Sequence, residues 1–259
     1  MGNKNSHKKK KQKVDDKKNN NEQNEEDEME NYYSEIISKL KIDTEKIKNN
    51  LKKINKDDEL IVLIESGSLA PPHKMHLNLM EITKKHFEQN DNKKKIIGGY
   101  IIPSSDRYVK EKLKDDFIPL EHRVNMTKLL IGNSDWLDYL DWGYAYGDEI
   151  KLLLEKILQK RFPEYHIKCI LVFGIDYYLR SQSHLEYECV CVFRPGYDTE
   201  KIKEMYPENL IFVEGSNEDI SSTILRKAFR EKDEKIINEL TCKEIVDYVK
   251  SNDIFNQGK

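Results

Sequence analysis

Two kinds of apolar patterning alternate along this chain. Continuous apolar runs cover Leu60 to Ile64, Ile96 to Ile102, Ile170 to Phe173, Val190 to Phe193 and Leu210 to Val213. Runs this short and this apolar predict strands buried on both faces, and Trp136 to Trp142 is a candidate sixth. Between them, helical spacing of apolar positions predicts helices over Met75 to Gln89, His122 to Ile131 and Asp148 to Arg161. Strand alternating with helix predicts an α/β fold, a doubly wound parallel sheet of five to six strands. Such sheets bind ligands beyond the carboxyl ends of their strands, which directs attention to the loops after Ile64, Ile102, Phe173, Phe193 and Val213.

The flanks read differently. Tyr33, Ile36, Ile37, Leu40, Ile47, Leu51 and Ile54 keep approximate helical spacing, interrupted near Asp43 and Thr44, which predicts one or two amphipathic helices. Toward the other end the pattern is helical again, with Thr241 and Glu244 spaced as a capping box before Ile245, Val246 and Val249. The first thirty residues are Lys, Asn, Glu and Asp with almost no aliphatic side chains, so burial cannot offset the entropy of ordering them. The chain therefore divides into a disordered leader over 1–30, a helical extension over 31–56 and one compact domain over 57–256, with a helical C-terminus.

Composition narrows the function classes. A net charge of −3 over 259 residues argues against a general nucleic-acid binder. The cysteines Cys169, Cys189, Cys191 and Cys242 have no C-x-x-C spacing and no histidine at zinc-ligand spacing; Cys189 and Cys191 would share one face of a strand. This predicts buried free thiols in a reduced, cytoplasmic setting, without separating cytoplasm from nucleus. No apolar stretch approaches the ~20 residues of a membrane-spanning helix, and no signal-peptide segment follows the lysine-rich start.

Candidate chemistry begins where the first strand ends, in G-S-L-A-P-P-H-K-M-H from Gly67 to His76. A small-residue turn after a buried strand brings backbone N–H groups close to a phosphate, and the following helix adds its positive end. His73 and His76, three apart, would lie on one side of the first helical turn. A Walker A loop would need Gly-Lys-Ser/Thr, and a dinucleotide fingerprint three glycines; neither is present. Read alone, the histidine pair fits a structural or surface role better than a catalytic one. A second block, E-D-I-S-S-T-I-L-R from Glu218 to Arg226, places Ser221, Ser222 and Thr223 at a helix start with Arg226 one turn along, offering donors to an anion. Read alone, it is an ordinary N-cap with a surface arginine.

The two blocks together resemble the paired signatures of the nucleotidyltransferase superfamily, and more narrowly the eukaryotic-type nicotinamide mononucleotide adenylyltransferases. Similar blocks recur in order from Leu60 to about Phe255: I-I-P-S-S-D-R-Y near Pro103, I-P-L-E-H-R-V-N-M around Arg123, D-W-L-D-Y-L-D-W ending at Trp142, F-G-I-D at Asp176 and F-R-P-G at Arg194. The resemblance implies a Rossmann-like nucleotidyltransferase fold that transfers the adenylyl group of ATP to nicotinamide or nicotinic acid mononucleotide, with Mg²⁺ carried on the triphosphate. It implies that Gly67, Ser68 and Leu69 line the mononucleotide phosphate, that His73 and His76 contact the ATP phosphates, and that Lys110 matches a phosphate-binding lysine in a loop. It further implies that Trp142 stacks on the pyridine ring, that Gly174 and Asp176 hold ribose hydroxyls, that Arg194 contacts ATP, and that Ser222, Thr223 and Arg226 hold the triphosphate. His76 and Arg226 are the expected main transition-state contacts, supported by His73 and Lys110; no protein-bound metal site is expected.

The chain also departs from the family pattern at Leu69, Ala70, Gly143, Ile175 and Ile224, and the segment between Asp176 and Arg194 lacks the Trp-containing loop that helps close the pyridine pocket. Two other readings follow: an adenylyl- or cytidylyltransferase with another acceptor, such as phosphopantetheine, and a catalytically inactive nucleotide-binding or chaperone-like relative. The sequence specifies neither base preference nor homo-oligomerisation. The leader adds one motif. Met1, Gly2, Asn3, Lys4, Asn5 and Ser6 match the N-myristoylation pattern, with Lys8 to Lys11 and Lys13 following. One acyl chain binds membrane marginally and the lysines supply a second attraction, which predicts reversible attachment to a cytoplasmic membrane face through Gly2.

Overall fold

The computed structural model describes residues 33–91, 93–143, 147–178, 188–193, 198, 200–201, 209–215 and 220–255. The leader with Gly2, and Arg194, lie outside the described residues. Two units are distinguished, Met1–Lys41 and Ile42–Lys259. In the first, residues 33–39 are helical, closed by Leu40 N–H on the carbonyls of Ile36 and Ile37 at 3.2 and 3.3 Å.

The second unit is built on six parallel strands: β1 (Glu59–Gly67), β2 (Lys94–Pro103), β3 (Leu137–Tyr139), β4 (Ile167–Gly174), β5 (Cys189–Phe193) and β6 (Leu210–Glu214). Their order in the sheet is β3-β2-β1-β4-β5-β6. All five apolar runs and the candidate sixth are strands, and Val62, Leu63, Ile64, Ile170 and Val190 are fully buried, as a sheet covered on both faces requires. The main layer helices are α2 (Lys74–Asn90), α4 (Leu120–Ile131) and α5 (Gly147–Arg161), close to their expected positions. The chain winds from β1 outward through β2 to β3 and then crosses back to β4 on the other side of β1. This reversal opens a crevice at the carboxyl ends of β1 and β4.

Within the second unit, which runs from Ile42, α1 (Glu45–Leu51) inserts Ile47 and Leu51 into the core. Ile47 packs over Gly98 on β2, where even a methyl group would come within 2.6 Å of its Cγ1. One expectation is corrected. Thr241 and Glu244 do not form a capping box. Thr241 is buried at the end of α8 (Glu234–Leu240), its hydroxyl 3.4 Å from the Pro72 carbonyl, and Cys242 stands at the N-cap of α9 (Lys243–Ser251).

A segment expected to be loop is helical: α3 (Asp106–Leu113), started by Ser105, whose hydroxyl accepts from Tyr108 N–H at 3.3 Å, and followed by a turn over Lys114–Asp116. The β4–β5 connection begins with one helical turn, α6 (Ile175–Tyr178), and α7 (Ser222–Glu231) follows β6. Cys169, Cys189, Cys191 and Cys242 are free thiols; burial pushes Cys191 up to about 12. Among the described residues no helix is long and apolar enough to cross a membrane.

Candidate active site

At the end of β1 the chain turns sharply through Leu69, a buried non-glycine residue with φ of 48°, a strained conformation that persists only where the surroundings hold it. The holding group is Arg123 on α4, fully buried, whose guanidinium donates to the carbonyls of Ile118, Ser68 and Ser104 and to the Asp106 carboxylate at 2.7 to 3.1 Å. It thereby ties the loop after β1 to the loop after β2. Sequence reasoning assigned Arg123 no role, although a charged residue on the apolar face of Val124, Thr127 and Ile131 was a signal for one.

Past the turn, the loop's carbonyls are engaged from behind by the C-terminal helices. Arg226 Nη1 donates to Ala70 O at 2.8 Å, Ser222 Oγ to Pro71 O at 2.9 Å, and Lys74 Nζ to the carbonyls of Asn238 and Glu239 at 2.9 and 2.8 Å. The two sequence blocks, more than 150 positions apart, thus meet as one structure. Ser221 caps α7 by accepting from Ile224 N–H at 3.3 Å. Arg226 is buried and also donates to Asp116 at 2.9 Å and Thr223 Oγ1 at 3.1 Å. Arg230 joins Asp116 from the next turn. Burial raises the Asp116 carboxyl, but the two guanidiniums outweigh it and hold it below its ordinary range.

His73 is the N-cap of α2 and its ring stacks on His76, centroids 4.1 Å apart. His76 Nδ1 lies 2.9 Å from Glu65 Oε1. Three side-chain atoms in this cluster are buried without a hydrogen-bond partner: His73 Nδ1, His76 Nε2 and Glu65 Oε2. Each such atom costs about 1–3 kcal/mol, a debt that a polar ligand could cancel. Burial, reinforced by the neighbouring His76, holds His73 well below its ordinary range. Neither α2 nor α7 carries an acid in its first turn, so both helix starts leave their positive ends open to an anion.

The other expected residues fall as follows. Gly67 ends β1, with His76 Cε1 3.8 Å from where its Cβ would be. Ser68 Oγ accepts from Lys112 at 3.1 Å, not from Lys110. On helix α3 residues two apart point roughly 200° away from each other, so the lysine that reaches the loop is Lys112, while Lys110 is exposed elsewhere on the helix. Gly174 ends β4 with open space where its side chain would be, and Asp176 is exposed beyond it, both on the crevice side of the sheet. Trp142 is 3% exposed, its ring packed within the fold at the end of the segment after β3. Among the described residues no group of three or more His, Cys, Asp or Glu side chains is placed to hold a metal ion.

A doubly wound sheet with an anion-ready loop at its switch point defines a nucleotide-binding α/β protein. The cytidylyltransferase-like family profile matches residues 64–228, from the end of β1 into α7, and the chain belongs to that family. It is 24% identical over 225 residues to the nicotinamide/nicotinic acid mononucleotide adenylyltransferase of Arabidopsis thaliana, covering 78% of this chain and 92% of that protein. In fold it is similar to the Plasmodium falciparum nicotinic acid mononucleotide adenylyltransferase, in complexes with APC and with NaAD, at TM-scores of 0.57 and 0.55. Those matches are 18% identical and cover 77% of this chain and 99% of the other.

Proposed function

We propose that this protein transfers the adenylyl group of ATP to nicotinamide or nicotinic acid mononucleotide, releasing pyrophosphate and forming a pyridine dinucleotide. The observation that carries the reading is the junction of the two blocks: Ser222 and Arg226 bonded to the loop that bears His73 and His76. The relatives named above support the choice of acceptor. An oxygen of the mononucleotide phosphate attacks the α-phosphorus of ATP while the bond to the bridging β-oxygen breaks in line, and the electron pair leaves on pyrophosphate. The attacking phosphate is already ionised at neutral pH, so no side-chain nucleophile is needed. Catalysis consists of alignment and stabilisation of charge.

In this scheme the backbone of Gly67, Ser68 and Leu69, with Lys112, holds the acceptor phosphate. His73, His76 and the start of α7 hold the triphosphate, and Gly174 and Asp176 face a ribose. Arg226 uses three N–H groups on Asp116, Ala70 and Thr223, and its remaining two serve the phosphates. Mg²⁺ enters on ATP, where it neutralises the leaving pyrophosphate; the donor set of the loop, N–H groups and imidazoles, suits phosphate oxygens rather than the cation itself. The test is a panel of acceptors with labelled ATP and CTP. Dinucleotide and pyrophosphate formed from ATP and either pyridine mononucleotide support the reading; turnover only with phosphopantetheine or only with CTP, or nucleotide binding without turnover, overturns it.

We also propose that Gly2 is acylated and that Lys8 to Lys11 and Lys13 hold the leader on an anionic cytoplasmic leaflet, at about 1 kcal/mol per lysine. Fractionation of cells expressing wild type and Gly2→Ala tests it: equal soluble partitioning at low salt rejects acylation.

A further inference from the structure

Glu65 lies two residues before the end of the central strand, paired in register with Ile101 on one side and Val172 on the other. A carboxylate here is 4% exposed and surrounded by apolar strand positions, a placement that burial alone makes expensive. Stability does not account for it. Replacing a buried ion pair by apolar residues is commonly neutral or stabilising, and this pair leaves Glu65 Oε2 and His76 Nε2 both without partners. What the contact does determine is the state of the His76 ring. With Glu65 ionised its oxygen only accepts, so Nδ1 carries the proton that bridges the 2.9 Å contact, and Nε2, the other ring nitrogen, is left buried without a protein partner.

His73 has no such partner. Its Nδ1 is unbonded and burial favours its neutral form, as does the neighbouring ring. Two stacked imidazoles 4.1 Å apart would repel if both were charged, and only one of them has a carboxylate behind it.

We propose that Glu65 is a positioning residue for adenylyl transfer, holding His76 by Nδ1–H so that, in the nucleotide complex, the ring carries both N–H groups and donates from Nε2 to a phosphate oxygen. The proposal rests on the adenylyl-transfer reading for its kinetic consequence, but not for its geometry. The division of labour is then explicit: His76 is the cationic donor between two anions, and His73 is a neutral ring that packs against it and fixes its plane. Glu65 also keeps His76 from collapsing onto the phosphate in a geometry set by charge alone.

The test compares Glu65→Leu, an apolar near-isostere chosen to preserve packing, with Glu65→Gln, which keeps a hydrogen-bonding oxygen and loses the charge. Expected are a fall in kcat of about 100-fold for Glu65→Leu and about 10-fold for Glu65→Gln, with the mononucleotide KM little changed, because the lost contact acts at the transferred group. In a His76→Ala background either change costs no more than about twofold, since a residue acting through His76 has nothing left to act on. Equal losses in both backgrounds, or a Glu65→Leu kcat within about twofold of wild type, overturn the proposal. A second readout needs no turnover: ¹⁵N-histidine NMR of the full chain with a non-hydrolysable ATP analogue. Wild type is expected to show His76 protonated at both nitrogens and Glu65→Leu at one. Identical spectra reject the role of Glu65 even if every acceptor fails and the adenylyl-transfer reading falls with it.

Discussion

The two ends of the sheet are built on opposite rules. At the amino end, Glu188 before β5 receives Lys94 from β2 at 3.2 Å and Lys168 from β4 at 2.8 Å, and both its oxygens are used. At the carboxyl end of the same central strands, Glu65, His73 and His76 leave three buried polar atoms without partners, and two helices start there with no acid in the first turn. Two other helices that start at this end, α3 after β2 and α6 after β4, do carry one, Asp106 and Asp176, so the open positive ends are those of α2 and α7. One end is satisfied by the protein itself. The other is satisfied only with something added, and that difference, more than any single motif, marks which end binds.

The contrast can be attacked from its strongest point downward. Arg123 is the exception at the carboxyl end, a buried charge with its donors bonded inside the protein, so its role is to build the site rather than to use it. Arg123→Leu strands Asp106 and three carbonyls and is expected to cost about 3–5 kcal/mol in urea unfolding, with activity lost as a consequence. His76→Ala should act on turnover directly: a fall in kcat of roughly 100- to 1000-fold in pyrophosphate release, accompanied by a lower melting temperature because the buried Glu65 carboxylate loses its partner. Near-wild-type turnover would end its assignment as a phosphate contact.

A third expectation concerns pH. The folded-state proton affinity of His73 is lowered from an ordinary value of 6.5, so below that pH the unfolded chain binds a proton that the folded chain refuses. This contribution is fully present above 6.5 and is lost as pH falls toward the depressed folded value. Urea melts at about pH 7.5 and about pH 5.5 should show that loss, and His73→Gln should flatten it; an unchanged slope would contradict the burial argument. Smallest is Glu188→Gln at the satisfied end, expected to cost about 0.2–1 kcal/mol, to soften in high salt and to leave kcat alone. A kcat effect there comparable to that of His76→Ala would erase the distinction between the ends.

The sheet was legible because its strands are covered on both faces, so each became an apolar run too short for a helix and set between helical patterns. The histidine pair and the Ser-Ser-Thr-x-x-Arg block were legible as chemistry, and the tertiary structure joins them. What escaped reading shares a cause: a polar residue whose role depends on distant neighbours. Glu65 is a single polar residue closing an apolar run, and only the fold sets the ring of His76 against it. Arg123 is a single charge in a helical pattern, and its partners come from three separate loops. Helix α3 buries only Val109, so its apolar periodicity was too thin to register, and with it went the rotation that exchanges Lys110 for Lys112. Thr241 and Glu244 have capping-box spacing, but Thr241 closes α8 and the next helix takes Cys242 as its N-cap, which puts the pair out of register.

The clamping of the loop by α7 and α8 also bears on when the site comes into being. The Gly67–His76 segment is made early, and its strands can pair as soon as β2 and β4 exist. Its carbonyls, however, are captured by Ser222 and Arg226, 151 and 156 positions further on. Contacts this distant close late, because the whole intervening chain must be in place first. A growing chain therefore carries a sheet before it carries a nucleotide site. Helices α7 and α8, made long after the loop they grip, act as the lock that turns a scaffold into a receptor, and chains cut short before Ser222 should remain blind to ATP.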